Sequence, residues 1–217
     1  MRLTITDLAG ERGGETVFSG IGFSLEAGES LVVTGPNGAG KSTLLRVIAG
    51  LLPIAAGRLD FKGDAEFPDL ASALHYLGHQ NAMKTALTVN ENLRFWQQFG
   101  GEPHLSVQDA LETVGLGDIG HLPFAYLSTG QKRRAAIAKL LVNYRPVWLL
   151  DEPTAGLDRA SEAQFTALMQ AHCEDGGIVI AATHLPLGLE GVKTLEMSLP
   201  SPLWGGSPEG RGGGTEA

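Results

Sequence analysis

A glycine-rich segment near the N-terminus has the residue types that bind phosphate. Residues 35–42 read Gly-Pro-Asn-Gly-Ala-Gly-Lys-Ser and fit the pattern G-x-x-x-x-G-K-[ST]. Glycines let backbone N–H groups face phosphate oxygens, Lys41 supplies a positive charge, and Ser42 is placed to ligate Mg²⁺. The residues predicted to bind the phosphates are Gly35, Pro36, Asn37, Gly38, Ala39, Gly40, Lys41, Ser42 and Thr43.

The flanking residues supply the context that this loop requires. Residues 31–33, Leu-Val-Val, form a short apolar run typical of a buried strand, and the apolar spacing over 41–49 predicts a helix. The N-terminal end of such a helix adds partial positive charge at the phosphates. The alternative, a glycine-rich turn that only caps a helix, gives no reason for a lysine at position 41.

Two adjacent carboxylates follow a second apolar run. Residues 147–150, Val-Trp-Leu-Leu, predict a buried strand that ends in Asp151 and Glu152. Asp151 is expected beside the magnesium ion, and Glu152 is expected to orient and deprotonate a water molecule that attacks a γ-phosphate. A strand that ends in Asp-Glu says little by itself. Together with the phosphate loop it indicates nucleotide hydrolysis.

The rest of the chain predicts an α/β fold with a mostly parallel sheet. Alternating residues before position 26, with a Gly13-Gly14 turn, predict an antiparallel β lobe. Helices are expected over 89–99, 106–114 and 130–142, Asp158 is expected to cap a further helix running towards residue 173, and residues 177–182 form another strand pattern. Strands that alternate with helices favour a parallel sheet.

Composition excludes several classes of protein. The net charge of −8 over 217 residues argues against bulk capture of nucleic acid, so we expect no nucleic-acid partner. Apolar runs are too short to span a bilayer, the first residues lack a secretory signal, and a cytoplasmic chain is expected. The single cysteine, Cys173, excludes an internal disulfide and is expected to be a buried helix residue. Residues 198–217 are rich in Gly, Pro and Ser and predict a flexible tail.

Leu127-Ser128-Thr129-Gly130-Gln131, followed by a helical pattern and then by the Asp151-Glu152 strand, resembles the signature of the ABC transporter ATPases, which usually reads Leu-Ser-Gly-Gly-Gln. Thr129 departs from it. The resemblance implies a P-loop core with an antiparallel β lobe and an inserted helical lobe at about 85–143, in a single domain over 1–197. It also implies a head-to-tail dimer of two copies with two ATP molecules at the interface, where Ser128 and Gly130 cap the other copy's nucleotide. Read alone, the segment could be an ordinary Ser-capped helix.

The same resemblance assigns roles to three further residues. Gln80 matches a glutamine of the magnesium shell, and His184 matches a histidine that contacts the γ-phosphate, so both join Glu152 as catalytic candidates and Gln80 joins Ser42 and Asp151 as a metal ligand. Many relatives stack an aromatic residue on adenine, but here Arg12 falls near that position. A guanidinium plane can also stack on a base, so Arg12 is the predicted adenine contact.

A narrower resemblance is to the ATP-binding subunits of haem exporters in cytochrome c maturation. Residues 78–80, 87–93, 131–134 and 183–187 carry it. It implies a peripheral subunit on the cytoplasmic face of the bacterial inner membrane, working with integral membrane subunits. The alternatives are the ATPase of another export system, or a soluble ABC ATPase without a membrane partner. The six histidines are scattered, so we expect no direct haem ligation.

Two regions could meet a membrane partner. Met83, Lys84 and the adjoining loop are the preferred docking candidates. Aromatic residues in the helix predicted over 89–99, among them Phe95, Trp96 and Phe99, could instead present an apolar patch, but their spacing with Leu93 also fits a plain helix core, which we favour.

Overall fold

The computed structural model describes residues 1–199 and contains eight strands and six α-helices within that range. The strands are β1 (Arg2–Arg12), β2 (Glu15–Glu26), β3 (Ser30–Thr34), β4 (Ala56–Lys62), β5 (Leu74–Leu77), β6 (Val147–Asp151), β7 (Ile178–Ala182) and β8 (Lys193–Glu196). The helices are α1 (Lys41–Ile48), α2 (Leu70–Ala73), α3 (Val89–Gly100), α4 (Val107–Thr113), α5 (Thr129–Val142) and α6 (Arg159–Glu174). The α/β class predicted from the sequence is confirmed.

A five-stranded parallel sheet positions the candidate site. Its strand order is β5-β6-β7-β3-β8, and every neighbouring pair is parallel. Strands β6 and β7 are buried along their whole length, which explains why their sequences are continuous apolar runs rather than alternating ones. The strands predicted at 31–33, 147–150 and 177–182 are therefore present, and their carboxyl ends lie at one edge of the sheet.

The N-terminal strands form a separate antiparallel sheet with the order β2-β1-β4. The β1–β2 hairpin turns at Gly13 and Gly14, where φ is 63° and 84°, values that glycine adopts without steric cost. Leu3 and Leu25 of this sheet are fully buried in the same core cluster as Leu44 of α1. The β lobe predicted from the sequence thus packs against the helix that follows the phosphate loop.

Helices α3, α4 and α5 lie between β5 and β6 in the chain and correspond to the three predicted helices, with ends within two residues of those expected. Each begins at a hydroxyl N-cap, Thr88, Ser106 or Ser128, whose side chain accepts a hydrogen bond from a backbone N–H of the first turn. Their buried faces meet in one cluster that includes Leu93 and Leu111. These helices form a compact layer beside the parallel sheet.

The expectation that the aromatic residues of α3 form a plain core is wrong for two of them. Leu93 is fully buried and Trp96 packs against the core, but Phe95 is 44% exposed and Phe99 is 75% exposed. Their rings contact each other, with Phe95 and Phe99 stacked at 6.1 Å between centroids. Positions 95 and 99 share one helix face that turns away from the other helices.

Asp158 caps α6 by accepting a hydrogen bond from the Ser161 N–H at 2.8 Å, as predicted, and Cys173 is buried near the end of that helix. Within residues 1–199, none of the helices is long and apolar enough to cross a membrane. The predicted flexible tail falls outside the described residues from position 200 onward.

Candidate nucleotide site

The phosphate loop connects β3 to α1 at the carboxyl edge of the parallel sheet. Gly35 has φ 135°, and a Cβ atom there would clash with the backbone carbonyl oxygen of Met197. Gly40, with φ 92°, is the N-cap of α1, and no side chain caps this helix. The first backbone N–H groups of α1 are thus available to an anion, because the first turn of a helix leaves them without intrahelical partners.

Lys41 lies inside the loop rather than on the surface. Only 8% of the residue is exposed, and its Nζ donates hydrogen bonds to the carbonyl oxygens of Gly35 at 2.6 Å and Pro36 at 3.1 Å. These carbonyls satisfy the ammonium group and hold it within the turn. Phosphate oxygens, which carry full charge, would compete for the same three donors.

Ser42 and Asp151 come together although they are far apart in the chain. The Ser42 Oγ donates a hydrogen bond to Asp151 Oδ1 at 2.8 Å, which joins the start of α1 to the end of β6. Asp151 is 3% exposed. The sequence predicted that these two residues would share a metal site, and the structure places their oxygen atoms side by side.

Glu152 turns away from the direction of β6. Its φ is 45°, a left-handed conformation that non-glycine residues seldom adopt, and its N–H donates to the Ala182 carbonyl at 2.8 Å. Its carboxylate accepts a hydrogen bond from the buried Thr183 hydroxyl at 3.3 Å and lies 3.2 Å from His184 Nδ1. Glu152 and His184, predicted separately from the sequence, are therefore direct neighbours at the ends of β6 and β7.

Two further predicted residues lie on other elements, Gln80 after β5 and Arg12 at the end of β1. Gln80 is exposed and follows β5, the neighbour of β6, so it lies at the same carboxyl edge as Asp151. Arg12 is the exposed last residue of β1, opposite Glu15 in the hairpin. Its adenine contact stays a prediction.

The signature segment forms the start of α5. Ser128 Oγ accepts from the Gln131 N–H at 3.2 Å, and the Gln131 side chain accepts from the Ser128 N–H at 2.9 Å, so the two residues form a reciprocal capping box. Ser128 and Thr129 are exposed. A Cβ at Gly130 would lie 3.1 Å from the Gly156 carbonyl oxygen, so the helix start packs closely on the loop after Glu152.

Sequence reasoning missed Arg133, which reaches the site from the second turn of α5. Only 5% of it is exposed, and its guanidinium donates to four backbone carbonyl oxygens at 2.6–3.1 Å. The acceptors are Gly78, Asp151, Glu152 and Pro153. In the sequence, only its position directly after the signature, among the basic residues 132–134, points to a role for Arg133 in the site.

Comparison with known proteins agrees with this geometry. Residues 18–155, which include the phosphate loop, the signature and both carboxylates, match the family described as ABC transporter. The chain belongs to the ABC transporter family. The cassette is 69% identical over 194 residues to a protein of Mesorhizobium japonicum named "Cytochrome c biogenesis ATP-binding export protein CcmA", a match that covers 89% of this chain and 96% of that relative.

Further relatives and solved structures extend this result. A Brucella abortus protein of the same name is 60% identical over 191 residues, covering 88% of the cassette and 89% of the relative. A Pyrococcus furiosus ABC transporter ATP-binding protein superposes with a TM-score of 0.78 at 24% identity, covering 91% of this chain and 98% of that one. A bacterial ABC transporter cassette solved as a dimer gives 0.77 at 23% identity, covering 90% and 94%. At these identities the solved structures support the fold alone. The predicted P-loop ABC fold is confirmed.

Proposed function

We propose that this chain is the ATP-hydrolysing subunit of a membrane export complex in cytochrome c biogenesis, and that the complex serves haem export or delivery. The name shared by the relatives supports the biogenesis role. One observation carries the enzymatic part: Ser42 Oγ lies 2.8 Å from Asp151, and the next residue, Glu152, lies 3.2 Å from His184. Residues for phosphate, metal and water therefore meet at one edge of the sheet.

ATP binding uses groups that are already in place. When ATP binds, its phosphate oxygens replace the two carbonyl oxygens as acceptors for the Lys41 ammonium. The uncapped N–H groups at the start of α1 adjoin the same loop and donate to the phosphates as well. Because phosphate oxygens are charged, they form stronger hydrogen bonds to lysine than neutral carbonyls do. Lys41→Ala therefore loses nucleotide binding or its correct placement.

The residues fit Mg²⁺. Adjacent ligands of an octahedral ion with bonds of about 2.1 Å lie about 3 Å apart, and the Ser42 and Asp151 oxygens are 2.8 Å apart. Both are hard oxygen ligands of the kind this ion prefers, and the amide oxygen of Gln80 offers a third from the neighbouring strand end. When bound, Mg²⁺ neutralises charge on the transferred phosphoryl group.

Glu152 serves as the general base. Its side chain is 27% exposed, which admits a water molecule, and Thr183 and His184 hold one carboxylate oxygen each. A carboxylate fixed at both oxygens aims its lone pairs at one position, where it accepts a proton from the attacking water. Its neighbour His184, whose side chain is 63% exposed, is the proposed γ-phosphate contact.

A second copy completes each site. Ser128 and Thr129 at the start of α5 are exposed, and a helix N-terminus favours a phosphate group. In a head-to-tail dimer, this helix start of one copy caps the ATP held by the loop of the other. The dimeric form of a solved cassette with the same fold is in keeping with this arrangement.

The membrane subunits are proposed to dock at a cleft beside α3. A cavity of about 410 Å³ is bordered by Ala82, Trp96, Phe99 and Lys139 among others, and the exposed Phe95 stacks on Phe99. The Trp96 indole N–H donates to the Ala82 carbonyl at 3.0 Å, which ties the 80–84 loop to α3. Lys84 Nζ also lies 5.3 Å from the centroid of the Phe95 ring, so the Met83–Lys84 loop adjoins the exposed aromatics of α3. We propose that the two together meet the membrane subunits at the cytoplasmic face of the bacterial inner membrane.

Two variants test the enzymatic part. The purified parent is expected to hydrolyse ATP only with Mg²⁺, and Glu152→Gln is expected to bind ATP, accumulate the dimer and hydrolyse about 10²–10⁴ times more slowly. Glutamine keeps the size and shape of the side chain but has neither the charge nor the second acceptor oxygen, so the variant is expected to fold while it lacks the base. Hydrolysis by Glu152→Gln at the parental rate would show that another group is the base.

Copurification tests the membrane part. Membranes from cells that express the tagged chain are expected to yield membrane subunits of the cytochrome c pathway, and deletion of the gene is expected to abolish c-type cytochromes. Phe99→Ser should keep ATPase activity but weaken membrane retention, because the ring is exposed and contributes little to the core. Recovery of an unrelated permease, with c-type cytochromes intact, would replace this assignment by another export system.

A further inference from the structure

The strongest unassigned feature of the site is the buried guanidinium of Arg133. It lies on α5, the helix whose start carries the signature segment, and it contacts the ends of two strands of the sheet. Its Nη1 donates to Gly78 O at 2.9 Å, beyond β5, and its Nη2 donates to Asp151 O at 2.9 Å and Glu152 O at 2.6 Å, at the end of β6. Its Nε also donates to Pro153 O at 3.1 Å, so four of its five N–H donors have acceptors.

This contact fixes a backbone conformation that needs outside support. Glu152 has φ 45°, and a non-glycine residue keeps such a conformation only where its surroundings hold it. The Ala182 carbonyl holds the Glu152 N–H, while Arg133 holds the carbonyl oxygens of Glu152 and of the residue before it. The direction of the Glu152 carboxylate follows from this backbone conformation.

We propose that Arg133 is a positioning residue that links the start of α5 to the base Glu152 of the same chain. The inference rests on the proposed function. Ser128 and Arg133 belong to one continuous helix, so a shift of the helix start on contact with the other copy's nucleotide moves the guanidinium and the carbonyls bound to it. Gly78, just before the predicted metal ligand Gln80, moves with them. Closure of the dimer and the orientation of the Glu152 carboxylate are thereby connected within one chain.

Lysine cannot replace this arginine. A planar fork reaches four carbonyls in two strand ends, whereas an ammonium group is a compact point donor on a differently shaped stem. Arg133→Lys keeps the charge but loses the fork. A misplacement of the base by about 1 Å costs on the order of 100-fold in rate, so kcat is expected to fall by roughly 10- to 100-fold while KM for ATP changes by less than about threefold.

The matched control is Arg134→Lys. Arg134 is the adjacent residue, but its guanidinium donates to Val114 and Gly115, away from the carboxylates. Its kcat is expected to stay within about twofold of the parent. Circular dichroism, thermal unfolding and binding of a fluorescent ATP analogue to both variants check that each is folded and binds nucleotide.

A double variant separates positioning from a general structural role. In the Glu152→Gln background, Arg133→Lys has no base left to misplace and acts only through the carbonyls of Asp151 and Gly78, so the residual rate is expected to fall by a much smaller factor than in the parent. If Arg133→Lys hydrolyses ATP at the parental kcat, or if it lowers the residual rate of Glu152→Gln by the same factor as in the parent, the inference is wrong. If the parent itself shows no Mg²⁺-dependent hydrolysis, the proposed function fails instead.

Discussion

Mild acid is expected to destabilise this protein through two histidines remote from the nucleotide site. Burial lowers the pKa of both His75 and His172 to about 4. His172 is 7% exposed, its ring stacks on Trp148 at 4.1 Å between centroids, and its Nε2 lies 3.2 Å from the Pro146 carbonyl oxygen. A neutral imidazole donates that hydrogen bond, whereas an imidazolium would bring an unpaired charge into the core.

The size of the effect follows from linkage. In the unfolded chain a histidine has a pKa of about 6.5, so between pH 6.5 and 4 the unfolded state binds more protons than the folded one. The stabilisation is fully present above pH 6.5 and is lost as the pH falls towards 4. Lowering the pH from 7 to 5 removes about 2 kcal/mol per histidine, or about 4 kcal/mol for both. This is a large part of the 5–15 kcal/mol that stabilises a typical domain.

Urea unfolding measured at several pH values between 7 and 5 gives the free energy of unfolding directly. His172→Phe keeps a ring against Trp148 but removes one titrating group, so its loss over this range should be about half of the parent's. Carboxylates with a lowered pKa, such as Glu91 in the α3 capping box, lose their stabilising contribution mainly below about pH 5.

The result that would refute this reasoning is a His172→Phe protein with the full parental dependence on pH. The buried imidazole would then titrate alike in the folded and unfolded states, and its burial would carry no proton linkage.

Two further substitutions test the geometry of the nucleotide site. Thr183→Val removes the hydroxyl that donates to Glu152, so kcat is expected to fall about tenfold with little change in ATP affinity, as steady-state kinetics would measure; an unchanged kcat would show that His184 alone orients the carboxylate. Gly35→Ala brings a Cβ into the Met197 carbonyl at a residue with φ 135°, so the free energy of unfolding is expected to fall by more than about 2 kcal/mol in urea titrations, and a parental value would show that the loop relaxes freely.

The parts of the site that follow from short stretches of sequence could be predicted. The phosphate loop requires glycines, a lysine and a helix start within a few residues, and the run ending at Asp151 identifies a buried strand by composition alone. Both signals are local, because a backbone turn and a fully buried strand restrict residue types at adjacent positions. Helices α3, α4 and α5 could likewise be predicted from short stretches of sequence.

Other parts of the fold and the site depend on contacts between residues far apart in the chain, so no short stretch of sequence predicts them. Strands β5 and β8 have four residues each, and β5 contains His75 and Tyr76, so neither forms a recognisable apolar run. Arg133 is one of three consecutive basic residues in a helix, and nothing in that pattern distinguishes it from its neighbours. It is buried because four carbonyl oxygens from two other segments surround it. The exposure of Phe99 depends on which face of α3 packs against α4 and α5, and the spacing of the apolar residues in α3 does not decide that.

Asp151 and Glu152 are adjacent in the chain, but their carboxylates have different partners in the site. Successive side chains of a strand point to opposite faces, so two neighbouring acidic residues would ordinarily face apart. Here Asp151, the last residue of β6, faces Ser42, while the left-handed conformation of Glu152 ends the strand and directs the next carboxylate to Thr183 and His184. The proposed metal ligand and the proposed base are therefore adjacent in the chain but have different partners, because the strand ends between them.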